Sequence, residues 1–171
     1  GPLARTLPDA TCRPAELTQI FFYHNAGDRI GAAAALIGKA FMQRKALLIF
    51  APDHEVAGAL DRHLWIHPPT GFIPHVRGNS PLANETPVVI ADDIESPPQN
   101  ERLINLSADI PPGFSRFTSV IEVVGRDDEG RLAGRRRVKF YKDRGYEVRY
   151  FDLTEKNRWL TAQTSSIERT R

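Results

Sequence analysis

The chain has 171 residues, 41% hydrophobic and 26% charged, with a formal net charge of +2. Length and composition fit one globular domain of ordinary size, and the recurring apolar runs with low net charge exclude disorder over most of the chain. No window reaches the roughly 18–20 uninterrupted apolar residues of a bilayer span, so no membrane association is expected. The single cysteine, Cys12, excludes an internal disulfide and fits a reducing, cytoplasmic setting. The first residues lack a basic start followed by an apolar core, so no signal peptide is expected, and Gly1-Pro2-Leu3 reads as the scar of a protease cut.

Residues 1–18 hold three prolines and no apolar period, and read as a flexible extension. Gln19 to Tyr23 is β-prone and ends in the turn chemistry of Asn25, Gly27 and Asp28. Asp28 is placed to cap a helix of about four turns, with Ile30, Ala34, Ile37 and Phe41 at helical spacing. Ala46 to Phe50 is wholly apolar, as in a strand buried on both faces. Pro52-Asp53 then starts a helix over about 54–65, and the β-α-β-α order predicts a parallel sheet with right-handed crossovers. Residues 66–87 carry five prolines and one short extended piece near Phe72 to Val76. Strands are predicted at Val88 to Ala91, Leu103 to Leu106, Ser119 to Val124 and Tyr146 to Phe151, with a helix over about 128–144 before the last. The expected organisation is an extension (1–18), one α/β domain (19–152) and a polar tail (153–171). The expected fold is a single three-layer, Rossmann-like α/β domain with a mostly parallel sheet and no nucleotide-binding loop.

The β-α-β opening invites a nucleotide site, but the first turn, His24 to Gly31, has neither G-x-x-x-x-G-K-[ST] nor G-x-G-x-x-G. An acidic residue at the helix start also repels phosphate. Ile90-Ala91-Asp92-Asp93 ends like a magnesium-holding strand, yet without a phosphate loop it reads as a solvated strand end. His63 and His67 are four apart, but the H-E-x-x-H glutamate is missing and Pro68-Pro69 follow directly. No nucleophile elbow and no Cys-x-x-Cys occurs. No active site, metal or cofactor is expected.

Two stretches stand out instead. Arg131 to Arg144 holds seven basic residues and one acidic, so it carries +6 while the rest of the chain sums to −4. On a helix, Arg131, Arg135, Val138, Lys139 and Lys142 fall within one arc of roughly 100°. Leu132, Ala133 and Phe140 lie on another side and are predicted to pack on the sheet. A one-sided basic stripe with an apolar gap favours an acidic partner, a phosphate backbone or an acidic peptide; a solvated helix face would carry the same charges. The second stretch, Leu64 to His75, sets Trp65 and Phe72 among prolines. A rigid aromatic surface loses little entropy on docking, so this is a candidate protein-binding patch; core packing of Trp65 fits the composition equally.

These stretches, with FFYHN (21–25), ALLIFAPD (46–53), ETPVVIADD (85–93) and INLSADIPPGFSRF (104–117), resemble the chi subunit family of bacterial DNA polymerase III holoenzyme over about residues 20–152. The resemblance implies a non-catalytic accessory subunit of the clamp-loader assembly, acting in DNA replication. It implies two partner surfaces. One, on the last helix, takes the acidic C-terminal tail of single-stranded DNA-binding protein, and maps onto Val124, Arg131, Arg135, Val138 and Lys139. Val138 stands where the family can carry an aromatic residue, and valine offers less contact area. The other, which takes the psi subunit or an XPD-like helicase, maps onto Trp65, Phe72, Pro74 and His75. Association with single-stranded DNA would then be indirect. The residues alone also leave open direct nucleic-acid binding through the last helix, and a degenerate nucleotide-binding domain.

Overall fold

A computed structural model describes residues 17–66, 74–78, 86–95 and 97–155. Seven strands form one sheet: β1 (Gln19–Ala26), β2 (Leu47–Phe50), β3 (His75–Arg77), β4 (Val88–Ala91), β5 (Arg102–Asn105), β6 (Ser119–Gly125) and β7 (Val148–Asp152). Their order is β3-β4-β2-β5-β6-β1-β7. Every pairing is parallel, so the sheet is fully rather than mostly parallel. Three helices complete the described fold: α1 (Arg29–Met42), α2 (His54–Ile66) and α3 (Asp128–Asp143).

Both faces of the sheet are covered, which is why its central strands are apolar without alternation. Leu47 and Ile49 of β2, with Val88 and Ile90 of β4, face α1 and α2. Leu48 and Phe50, with Val89 and Ala91, face the cluster that holds Phe114, Phe117 and Tyr141 of α3. On that second face the connections 92–101 and 106–118 finish the cover. Ile94 and Phe114 are buried there, and Arg116 donates to the carbonyls of Ile94 and Glu95.

The two expected caps are present: Asp28 accepts from the Gly31 amide and Asp53 from Glu55. A third cap, Asp127, accepts from Gly130 and opens α3. Residues just outside the expected domain bounds pack against it. Thr18 is buried, its hydroxyl donating to the Phe117 carbonyl at 2.6 Å, and Leu153 is buried beside Tyr23. Residues 1–16 of the expected extension and 156–171 of the expected tail lie outside the described residues. The predicted piece at Phe72 to Val76 becomes β3 at His75–Arg77, with Phe72 outside the described residues. Tyr146 joins the α3-side core instead of opening β7.

The face of α3 that meets the sheet differs from the predicted one. Gly134, Arg137 and Tyr141 are buried, whereas Leu132 is 47% exposed and Ala133 and Phe140 are half-buried. The reason is close approach. A Cβ at Gly134 would sit 3.1 Å from Val124 and 3.2 Å from Phe22, so glycine lets the helix lie directly on β6 and β1. That rotation turns Arg137 inward, where apolar periodicity would never put an arginine.

Candidate functional site

α3 runs beside the carboxyl halves of β1 and β6 and over the edge strand β7. Between them lies a cavity of ≈ 640 Å³. Its apolar lining comes from Phe22, Val124, Val138 and Tyr150, and its cations from Arg131, Arg135, Lys139 and Lys142. All five residues that the sequence singled out on and beside the last helix therefore line one cavity. His24, Asn25 and Asp143 complete the lining.

The strand side of the cavity is shaped by an irregularity. The register of β1 on β6 shifts between Tyr23 and Ala26, and Asn25 adopts a left-handed backbone (φ 64°) that asparagine tolerates better than most residues. The Asn25 side chain donates to Asp152 at 3.0 Å, and its carbonyl accepts from Arg126 at 3.2 Å. Asp152 also accepts from the amide and hydroxyl of Thr154, and these hydrogen bonds hold its carboxyl well below the usual range. His24 stacks on Phe22, and Tyr150 stands edge-on to both rings. The Lys142 ammonium lies 5.2 Å from the centre of the Tyr150 ring.

On the helix side, four of the seven basic residues of 131–144 line the cavity. Lys139 is exposed and pairs with Asp143 at 2.9 Å one turn on. Two others are engaged elsewhere. The Arg144 guanidinium lies 3.6 Å from the centre of the Phe140 ring. Arg137 is buried and pairs with Glu122 of β6 at 2.8 Å.

Sequence reasoning missed the network behind that pair. The Glu122 carboxyl is fully buried and also accepts from Tyr141 at 2.6 Å and from the Asn105 amide at 3.0 and 3.1 Å. Arg137 donates further to the Ala108 carbonyl at 2.7 Å. Burial first, and then the neighbouring Glu122, push the Tyr141 hydroxyl far above its ordinary pKa, so it stays a donor. The one available signal was a glutamate inside an otherwise apolar strand, Ser119 to Val124, because a buried carboxylate needs partners.

The second predicted patch is only partly brought together. Trp65 lies in the last turn of α2 and is 57% exposed, which removes core packing as its role; Ile66, which ends the helix, is exposed as well. The His75 side chain is buried under the indole, ring centres 4.9 Å apart, with Nε2 3.0 Å from Asp61. His75 therefore supports Trp65 rather than presenting itself. Pro74 is half-buried, and Phe72 lies outside the described residues.

A crevice of ≈ 420 Å³ opens at the carboxyl ends of β5 and β6, where such folds hold nucleotides. Here Asp53 and Asp127 occupy the helix starts, and Arg29 spends donors on the carbonyls of Val123 and Leu106. Desolvation, and after it the nearby Arg137, lower the Arg29 pKa. Acidic caps thus line the crevice at the helix starts, where they would repel a phosphate. Among the described residues no group of three metal-ligating side chains occurs, and His67 of the His63/His67 pair lies outside them. No helix among them is long and apolar enough to cross a membrane.

A parallel three-layer domain with an acid-capped crevice and a cation-rimmed apolar cavity is, as a class, a Rossmann-like α/β domain. The family model described as DNA polymerase III chi subunit, HolC, matches residues 17–149. The chain belongs to the DNA polymerase III chi subunit family, and so is an accessory, non-catalytic subunit with a part in DNA replication. It is 30% identical over 138 residues to DNA polymerase III subunit chi of Pseudomonas aeruginosa (strain PAO1), covering 77% of this chain and 94% of the relative. The same-named protein of Escherichia coli (strain K12) is 31% identical, covering 61% and 71%. That of Haemophilus influenzae (strain Rd) is 27% identical, covering 68% and 81%.

Proposed function

We propose that this protein links the DNA polymerase III assembly to single-stranded DNA-binding protein by seating that protein's acidic C-terminal tail in the α3 cavity. The observation that carries the reading is the cavity's composition: an apolar lining with cations on its helix side. A carboxylate meeting arginine and lysine forms charge-assisted hydrogen bonds, and a terminal aromatic side chain needs an apolar recess. Arg131, Arg135, Lys139 and Lys142 supply the first; Phe22, Val124, Val138 and Tyr150 supply the second. Contact with single-stranded DNA is then indirect, and the work is cytoplasmic.

The exposed Trp65, with Ile66 next to it and Phe72 and Pro74 in the same stretch of chain, is the surface for a second protein, the psi subunit or an XPD-like helicase. His75 and Asp61 brace it from below. Direct nucleic-acid binding by α3 is the weaker alternative. Arg137 is withdrawn into the core, which takes one cation out of the basic run.

The test is calorimetric titration with a synthetic tail peptide beside the same peptide lacking its last residue. Binding of the intact peptide alone is expected, because the truncated one brings charge without a side chain for the recess. Equal binding of both, or of neither, removes the assignment to this cavity.

A further inference from the structure

A second cationic cavity lies at the opposite end of the sheet, at the amino ends of β2 and β5. It measures ≈ 440 Å³ and is lined by Gln43, Arg44, Lys45, Glu101, Arg102 and Thr118. Three cations from two parts of the chain meet one carboxyl, which is 3.4 Å from Arg102, so the groove keeps a surplus of positive charge.

Arg44 is held there in an unusual way. It follows α1 with a left-handed backbone (φ 60°), and its amide and that of Lys45 close the last turn onto Phe41 and Ala40. Helix α3 ends in the same manner on Gly145 (φ 86°). Glycine is the residue this conformation favours, and a side chain there is strained. The chain thus uses glycine at one helix end and, at the other, accepts the strain of a residue that projects a guanidinium into a cavity. Backbone outliers of this kind gather at binding sites.

The lining identifies the ligand class. The α3 cavity mixes cations with aromatic and aliphatic side chains, as a peptide with a side-chain anchor requires. This groove has no apolar side chain in its lining; it offers only cations, a carboxyl, an amide and a hydroxyl. Arg, Lys, Gln and Thr side chains all donate to phosphate oxygens, and the groove presents no aromatic ring on which a base could stack. We propose that this groove binds the phosphodiester backbone of nucleic acid, independently of base sequence and separately from the α3 cavity. With no ring for bases to stack on, affinity is in the range of about 10⁻⁴–10⁻⁶ M at physiological salt.

The test is fluorescence anisotropy of a labelled oligothymidylate, and of a duplex of equal length, with the full chain at low salt. The background is R135A/K139A, which removes two of the four cations of the α3 cavity. Adding R44G and K45Q is expected to weaken binding at least fivefold. It should also flatten the single-strand salt slope by about 1.4, at ~0.7 for each lost phosphate contact. R44G alone is expected to weaken binding while leaving the melting temperature equal or higher, because glycine relieves the strained turn; a merely structural Arg44 would not separate the two. The single-strand and duplex arms say which nucleic acid supplies the backbone. The proposal is overturned if neither oligonucleotide binds, if R44G/K45Q changes nothing, or if an acidic peptide without an aromatic end displaces the oligonucleotide as effectively as inorganic polyphosphate does.

Discussion

Arg135 and Arg137 sit two residues apart on α3, in one unbroken basic run, and have opposite surroundings. Arg137 points into the sheet, where Glu122, Tyr141, Asn105 and the Ala108 carbonyl enclose it. Arg135 points outward and lines the cavity beside Val138 and Lys139. The inner arginine sets how the helix lies on the sheet; the outer one is available to a partner. A buried ion pair is an inefficient way to gain stability over apolar packing, but breaking it is costly. Charge in a sequence therefore does not by itself mark a surface.

The comparison breaks most visibly at the inner side. Glu122→Ala leaves Arg137 buried without its partner, and stability is expected to fall by about 3–5 kcal/mol in urea unfolding. A loss no larger than that of a surface substitution would mean that Arg137 turns out to solvent. At the outer side, Arg135→Ala and Lys139→Ala are expected to leave stability within ~0.5 kcal/mol of the parent. Each should weaken the tail peptide by about 1–3 kcal/mol in calorimetry. Unchanged affinity in both variants would remove the cavity from function while leaving the family assignment intact.

Two smaller effects sharpen the same contrast. Asp143 holds Lys139 at 2.9 Å and adds a negative charge to a cavity proposed to receive an acidic tail. Asp143→Ala should tighten peptide binding by ~0.3–1 kcal/mol, the scale of an exposed pair, most clearly at low salt. Asp152 is the least consequential. Its folded pKa lies below the unfolded value near ~3.9, so its contribution is complete above that value and is lost as the pH falls toward the folded one. In an NMR titration the Asn25 side-chain amide should keep its Asp152-bound shift at pH values where free aspartate is already protonated. A change centred at the ordinary aspartate pKa would contradict the hydrogen-bonded geometry.

Much of this architecture is legible in the chain. The continuous apolar runs at 47–50 and 88–91 require a sheet covered on both faces, and Asp28 and Asp53 stand where helices begin. The helical arc of Arg131, Arg135, Val138 and Lys139 followed from the 3.6-residue repeat alone, because those side chains lie on the side of α3 away from its packed face. What the repeat could not supply was the packed face. Of Leu132, Ala133 and Phe140, which polarity put on the core side, Phe140 does pack, half-buried, against the Phe114 and Tyr141 cluster, yet the small size of Gly134 let backbone meet sheet, and that contact set the rotation.

Trp65 shows the same division. Its residue type allowed either burial or display, and only the position of α2 against β3, with His75 wedged beneath the indole, left it outside. The sequence by itself determined the element order, the parallel sheet, the helix starts and the outward stripe, since each rests on residues near one another in the chain. The tertiary structure alone decided which arginine is buried, that β1 and β7 complete the cavity, and that two cationic cavities lie at opposite ends of the sheet. Those facts depend on contacts between segments about 15 to more than 100 residues apart, which no local pattern encodes.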